Sequence, residues 1–162
     1  MVFWVPLLSW LAALVFAAVS IARAARPRGV ALVADRLLRA ITLFPLGLMS
    51  LWAALGHLAF PTEAAHAIGW EPSPFQAEVG FANLGLGLAG VIAAFYSNWG
   101  FRAAVAVVAL GFLGGAAIGH VVQIAKTGNM AAGNAGPILY TDVLTPVSLL
   151  LLLALPVRSA RT

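Results

Sequence analysis

Long apolar runs separated by short polar breaks dominate this chain. A helix needs roughly 20 residues to cross the hydrocarbon core of a bilayer. Five runs meet this length, at residues 2–24, 31–60, 74–96, 100–126 and 137–157. Proline, glycine and arginine residues stand in the breaks, where they end helices, and Pro45 inside the second run is expected to kink it. The pattern predicts an all-α fold, a polytopic bundle of five transmembrane helices in one domain covering residues 1–162.

The composition supports a membrane protein rather than a soluble one. The chain is 62% hydrophobic and 9% charged, whereas soluble domains carry about 25% charged residues. Too few charged residues remain to build a water-facing surface. The net charge of +4 does not indicate nucleic acid, because the basic residues lie in short loops between the apolar runs. The absence of cysteine excludes a disulfide framework and thiolate chemistry.

The basic residues also predict the orientation. With five spans, eight of the nine Lys and Arg residues lie on one side of the membrane: Arg23, Arg26, Arg28, Arg36, Arg39, Arg102, Arg158 and Arg161. Only Lys126 lies opposite. The positive-inside rule then places the N-terminus outside and the C-terminus in the cytoplasm. Because no basic residue precedes the first run, we interpret it as a retained helix rather than a signal peptide. We expect a multi-pass protein of the cell inner membrane, with the lipid bilayer as its partner.

Small and polar residues form two stripes on the third run. At about 100° per residue, one stripe holds Gln76, Gly80, Asn83, Gly87 and Gly90. A nearly opposite stripe holds Glu78, Ala82, Gly85 and Ala89. The fourth run carries Gly111, Gly115 and Gly119 at a spacing of four. Small residues let membrane helices approach closely, so the third helix is expected to be central, with packed neighbours on both faces.

Four ionisable residues fall near the same end of their helices. His57, Glu78, His120 and Asp142 lie about 6–9 Å from the predicted outer ends, at a rise of about 1.5 Å per residue. A charge inside a membrane is costly and indicates a functional site by default. We therefore expect an outward-facing polar pocket. For each residue a structural alternative to a functional role stays open: a hydrogen bond to a neighbouring helix, a helix cap for Asp142, or contact of His57 with headgroups.

Neighbouring polar residues extend this candidate site. Asn83 and Gln123 flank the ionisable residues, and Asn129 and Asn134 lie in a glycine-rich loop that could fold over them as a lid. The candidate ligand-binding residues are Glu78, His120, Asp142, Asn83, Gln123, His57 and Asn134. His120, Glu78 and Asp142 are also candidate metal ligands, because His and carboxylates suit zinc, iron or manganese. No local metal motif such as HExxH supports this, and the sequence identifies no cofactor.

Three functions remain open. The leading hypothesis is a buried pocket that binds or passes a small solute, a proton or a metal ion. The second is an accessory or structural subunit of a larger membrane complex, respiratory or photosynthetic, or a homo-oligomer. The third is a redox module linked to quinone or metal. The sequence does not show whether the protein is an enzyme.

Several motifs resemble a known but uncharacterised family of small bacterial and archaeal integral-membrane proteins, a domain of unknown function. They are Ile68–Trp70, Ser73–Gly80, Gly119–His120, Gly128–Asn129 and Gly133–Pro137. The resemblance spans roughly residues 64 to 146. More loosely, Arg36–Arg39 and the glycine-rich third and fourth runs resemble the DoxX-like four-helix membrane fold, with the first helix as an addition. That family is associated with quinone-linked sulfur oxidation and redox-stress complexes, an association that transfers to no particular residue.

Overall fold

The computed structural model describes residues 2–155, and its regular elements there are helices. In chain order they are α1 (Trp4–Ala22), α2 (Val30–Ile41), a π-helical segment (Thr42–Leu48), α3 (Met49–Ala59), α4 (Pro61–Ile68), α5 (Phe75–Phe95), α6 (Trp99–Thr127) and α7 (Pro137–Ala154). Because α2, the π segment and α3 are continuous, five helices are long and apolar enough to cross a membrane.

The five predicted spans are confirmed as helices. The first four begin and end within two residues of the predicted positions, and α7 begins at Pro137 as predicted. The predicted end of the fifth span, at residue 157, lies outside the described residues, as do Arg158 and Arg161.

A wide turn interrupts the second span around Pro45. Proline has no N–H and clashes with the carbonyl one turn earlier, so an α-helix cannot continue unchanged through it. The chain opens here into the π segment, where the expected feature was a simple kink. The Thr42 hydroxyl donates to the Leu38 carbonyl at 2.7 Å and lies 3.1 Å from that of Arg39. A side chain therefore supplies hydrogen bonds where the backbone pattern changes.

The α5 helix packs directly on the second span through one glycine stripe. The five stripe residues are all buried: Gln76, Gly80, Asn83, Gly87 and Gly90. A Cβ atom added at Gly90 would lie 2.9 Å from the Cα and N atoms of Gly47 in the π segment. Only glycine permits so close an approach of two backbones, as in other tightly packed membrane helices.

The opposite stripe of α5 is not packed in this chain. Glu78, Ala82 and Gly85 are exposed, and a Cβ atom at Gly85 would meet no atom within 4 Å. The glycines of α6 behave likewise, with open space at Gly111 and Gly115. The expectation of packed neighbours on both faces of α5 is therefore wrong for the described residues, where one face is packed and the other open.

One end of the bundle, which we call the arginine end, is held by side chains bound to helix carbonyls. Arg39 donates to the Ala94 carbonyl and Arg102 to the Ala93 carbonyl, both at 2.9 Å. These carbonyls belong to the last turn of α5, where no intrahelical donor remains and the helix dipole favours a cation. Arg102 also pairs with Asp35 of α2 at 2.8 Å.

The other end, which we call the histidine end, is covered by α4 and the loop of residues 128–136. The segment after Pro61 forms the helix α4, and Gly69, with a φ of 78°, follows its last residue. The loop docks on α4 through Asn129, whose amide donates to the Ile68 carbonyl at 2.9 Å. The Gly133 N–H donates to the Ala67 carbonyl at the same distance. The loop is thus tied to the bundle by hydrogen bonds.

Candidate functional site: a polar cavity at the histidine end

A cavity of about 300 Å³ lies among α3, α5, α6 and α7 at the histidine end. Most of its wall is apolar, including Met49, Phe112, Leu113 and Ile138. Its polar lining residues are Ser50, His57, Asn83, His120, Thr141, Asp142 and Thr145. An apolar wall with a few convergent polar groups is typical of small-molecule binding sites.

His120 is held in one orientation by Asn134. The Nδ1 atom of His120 lies 2.8 Å from Oδ1 of Asn134, whose side chain is fully buried. The Asn134 amide nitrogen donates to the Asn129 carbonyl at 2.8 Å, which leaves Oδ1 to face the imidazole. An amide oxygen only accepts, so His120 donates from Nδ1. This assignment follows from the hydrogen-bond network and fixes the tautomer.

The second nitrogen of His120 faces Asp142 across an open gap. Nε2 lies 3.7 Å from Oδ2 of Asp142, which is too long for a hydrogen bond. The two side chains are 9% and 8% exposed. In neutral imidazole with Nδ1 protonated, Nε2 is an acceptor, and an ionised carboxylate is acceptor-only. With the carboxylate ionised, two acceptors face each other, and they favour a third group: an ammonium or a shared proton can serve both, and a hydroxyl can donate to one of them.

The Asp142 carboxylate forms no hydrogen bond with any group in the described part of the chain. Buried carboxylates are usually paired, because an unpaired buried charge is costly. The carboxylate therefore retains binding capacity on the cavity wall.

His57 and Asn83 complete the polar wall. Nδ1 of His57 lies 2.6 Å from Oε1 of Gln76, which orients the imidazole. The Asn83 amide nitrogen donates to the Val79 carbonyl at 3.0 Å, so the amide is fixed on the helix and its oxygen remains an acceptor. Both residues line the cavity.

Two predicted site residues do not reach this cavity. Glu78 is exposed on the open face of α5, and the expectation that it faces the bundle interior is therefore corrected. The stripe of Gln76 and Gly80 packs inward and carries Glu78 to the far side of the helix. Gln123 is half-buried outside the cavity lining, and its side-chain oxygen lies 3.4 Å from the Thr127 hydroxyl.

Two contributors were not predicted as site residues. Gln76 orients His57, and its place on the buried stripe was the only sequence signal. Trp70 lies between α4 and α5 and lines the cavity. Its indole Nε1 is buried without a hydrogen-bond partner among residues 2–155. Because an indole N–H is a donor only, Trp70 carries an unused donor within the described residues.

The candidate metal ligands do not assemble in the described range. Residues 2–155 hold no group of three or more His, Asp or Glu side chains placed to bind a metal ion. His120 and Asp142 lie together, whereas Glu78 lies on the other side of α5. The donor set around the gap thus matches a hydrogen-bonding ligand better than a metal.

These features define a helical bundle with five membrane-span-like helices and a buried polar cavity at one end. The chain belongs to DUF6790, a family of unknown function whose model matches residues 3–162. The predicted membership of an uncharacterised family is thereby confirmed. No curated protein matches the chain. No solved structure matches it either.

Proposed function

We propose that this protein is an integral protein of the cell inner membrane whose cavity at the histidine end binds a small molecule. From the side of the cavity, an ammonium or a hydroxyl group of the ligand donates to Nε2 of His120, to the carboxylate of Asp142, or, for an ammonium, to both. The observation that carries this proposal is the 3.7 Å gap between these two acceptor groups. Asn134 supports it by holding the imidazole so that Nε2 faces the gap.

The size and wall of the cavity indicate a small molecule rather than a bare ion. A cavity of about 150 Å³ in another protein binds benzene, and this one measures about 300 Å³. Phe112, Leu113 and Ile138 can contact an apolar body while the polar residues fix its orientation. A single ring with polar substituents has suitable dimensions.

The arginines support an orientation in which the cavity opens outward. Six of them, Arg23, Arg26, Arg28, Arg36, Arg39 and Arg102, lie at the arginine end of the described chain. The positive-inside rule assigns that end to the cytoplasm and the histidine end to the outside.

A comparison of two carboxylate variants tests this function. Each protein is purified gently from its native membrane. The small molecules bound to it are then extracted and quantified by mass spectrometry. We expect a stoichiometric molecule in the wild type and at least a tenfold loss in Asp142→Asn. Glu78→Gln is the matched control, because Glu78 belongs to the same end of the bundle but lies outside the cavity lining. Equal amounts of the molecule in the wild type and Asp142→Asn would overturn the proposal.

A second candidate function, a subunit of a larger membrane complex, is supported by the open face of α6. A Cβ atom at Gly111 or Gly115 would meet no atom within 4 Å, although such glycines usually accept a neighbouring helix. Gentle solubilisation followed by mass measurement of the intact particle tests this candidate. Co-purifying subunits would support it, and a stable particle of one chain would contradict it.

A further inference from the structure

A second cavity adjoins the first and shares part of its wall. It measures about 420 Å³ and lies among α3, α4 and the beginning of α7. Six residues line both cavities: Met49, Ala53, His57, Ile68, Gly133 and Ile138. The polar cavity and this neighbour are therefore adjacent compartments with a common wall of side chains.

The second cavity opens at the surface of the bundle between mostly apolar side chains, with Glu63 of α4 also in its lining, and we call it the lateral groove. Trp52, Leu55 and Phe60 line it, and they are 38%, 58% and 55% exposed. Trp52 and Leu55 lie seven and four residues before the end of α3 at Ala59. At about 1.5 Å per residue they lie about 10 and 6 Å before the end of the second span, on a helix that is apolar enough to cross a membrane.

We propose that the ligand is amphipathic and enters from the bilayer. Its polar headgroup binds at His120 and Asp142, and its apolar chain lies along the lateral groove towards the lipid. This inference rests on the proposed function and adds to it the class of ligand and the entry route. A water-soluble solute would not need an apolar groove that leads from the polar site to the lipid-facing surface. For an amphipathic molecule, the apolar chain stays in apolar surroundings while the headgroup gains its hydrogen bonds.

Gly56 offers a way to close the groove without changing the polar cavity. It lines the groove but not the polar cavity, and a Cβ atom added there would meet no atom within 4 Å. Gly56→Phe therefore places a ring in the groove without a clash at its Cβ. Gly85→Phe is the matched control, because Gly85 also lies within a helix with open space at its Cβ but lines neither cavity.

The experiment compares two probes, phenol and 4-octylphenol, which share a hydroxyl-bearing ring and differ in the apolar chain. Binding to the full chain in lipid nanodiscs is measured for the wild type, Gly56→Phe, Gly85→Phe and Asp142→Asn. We expect Gly56→Phe to weaken 4-octylphenol binding at least tenfold while phenol binding stays within twofold. Gly85→Phe should bind both probes as the wild type does. Because all proteins are compared in the same lipid, partition of the probe into the bilayer cancels.

The outcomes separate the two proposals. Unchanged binding of 4-octylphenol to Gly56→Phe would overturn the lateral route but leave the polar site intact. Unchanged binding of both probes to Asp142→Asn would overturn the proposed function itself. Failure of both probes to bind the wild type would overturn the ring-bearing, amphipathic class of ligand. Melting temperatures of the two glycine variants within a few degrees of the wild type establish that both are folded.

Discussion

Each end of the bundle has an aspartate beside a nitrogen-containing side chain, arginine at one end and histidine at the other, and the two pairs differ in geometry. At the arginine end, Arg102 and Asp35 are 2.8 Å apart, and Arg102 also donates to the Ala93 carbonyl. At the histidine end, His120 and Asp142 are 3.7 Å apart beside a cavity. The first pair is closed and joins three helices. The second pair keeps unused hydrogen-bonding capacity, and this difference separates a structural pair from a binding site.

The largest expected effect comes from removing the closed pair. Arg102→Met removes the donor to the Asp35 carboxylate and to the Ala93 carbonyl, while Arg39 still donates to the Ala94 carbonyl. We expect unfolding to become easier by about 3 kcal/mol, the lower range for breaking a buried pair, because the Asp35 side chain is 34% exposed. Unfolding by denaturant in detergent micelles measures the change. Arg26→Met, at an exposed arginine, is the control, and an equal effect of both variants would contradict the assignment.

The next largest effect is expected at the backbone contact between α5 and the π segment. In Gly90→Ala the new Cβ atom would lie 2.9 Å from the Gly47 backbone, so α5 and the π segment must separate. We expect a loss of about 1–3 kcal/mol in stability, as for other overpacked sites. Gly85→Ala has open space and should be neutral or slightly stabilising, because alanine favours a helix over glycine. Equal melting temperatures of these two variants would argue against the contact.

A smaller effect is expected at Asn134, which joins the loop to the site. Asn134→Ala leaves the Asn129 carbonyl and Nδ1 of His120 unpaired, which we expect to destabilise the protein by about 1–2 kcal/mol. It should also weaken binding of the phenol probe, because the imidazole loses its fixed orientation. Asn129→Ala is a useful comparison, since its side chain bonds the loop to α4 but does not contact His120. If both variants weaken binding equally, the loop rather than the imidazole orientation is responsible.

The smallest effect on stability is expected at Asp142, which lies 3.7 Å from His120. Asp142→Asn removes a carboxylate that forms no hydrogen bond in the described chain, so the melting temperature should change by less than that of Asn134→Ala. Probe binding should nevertheless fall at least tenfold. Loss of binding without loss of stability distinguishes a binding residue from a structural one. A strongly destabilised Asp142→Asn would instead place Asp142 among the structural pairs.

Much of the fold could be predicted from the sequence because lipid imposes a simple rule. Apolar runs of fixed length mark the spans, and the breaks between them mark the ends. The buried stripe of α5, with Gly80 and Gly87, followed from helical periodicity alone. The shape of the second span did not follow, because proline predicts a disturbance at Pro45 but not whether it becomes a kink or a wide turn.

The sequence indicated the end of the bundle at which the polar residues gather, but not the direction in which each side chain points. His57, His120 and Asp142 line one cavity, whereas Glu78 at a similar predicted depth faces outward. Both faces of α5 carry small residues, so the sequence did not show which face a neighbouring helix would cover. The looser resemblance to the DoxX-like fold stays a prediction, as do the orientation and the membrane in which the protein resides.

The wide turn at Thr42–Leu48 determines how far α3 is rotated about the helix axis relative to α2. Each residue of an α-helix advances the direction of its side chain by about 100°. Removing one residue from this turn would rotate α3 by about that angle against α2, with the sequences of both helices unchanged. Arg39 would still reach the end of α5, but Met49 and His57 would turn away from the cavity. The wide turn therefore sets the rotation of α3 relative to α2. With this rotation, one continuous helix contributes Arg39 to the contacts at the arginine end and His57 to the cavity at the histidine end.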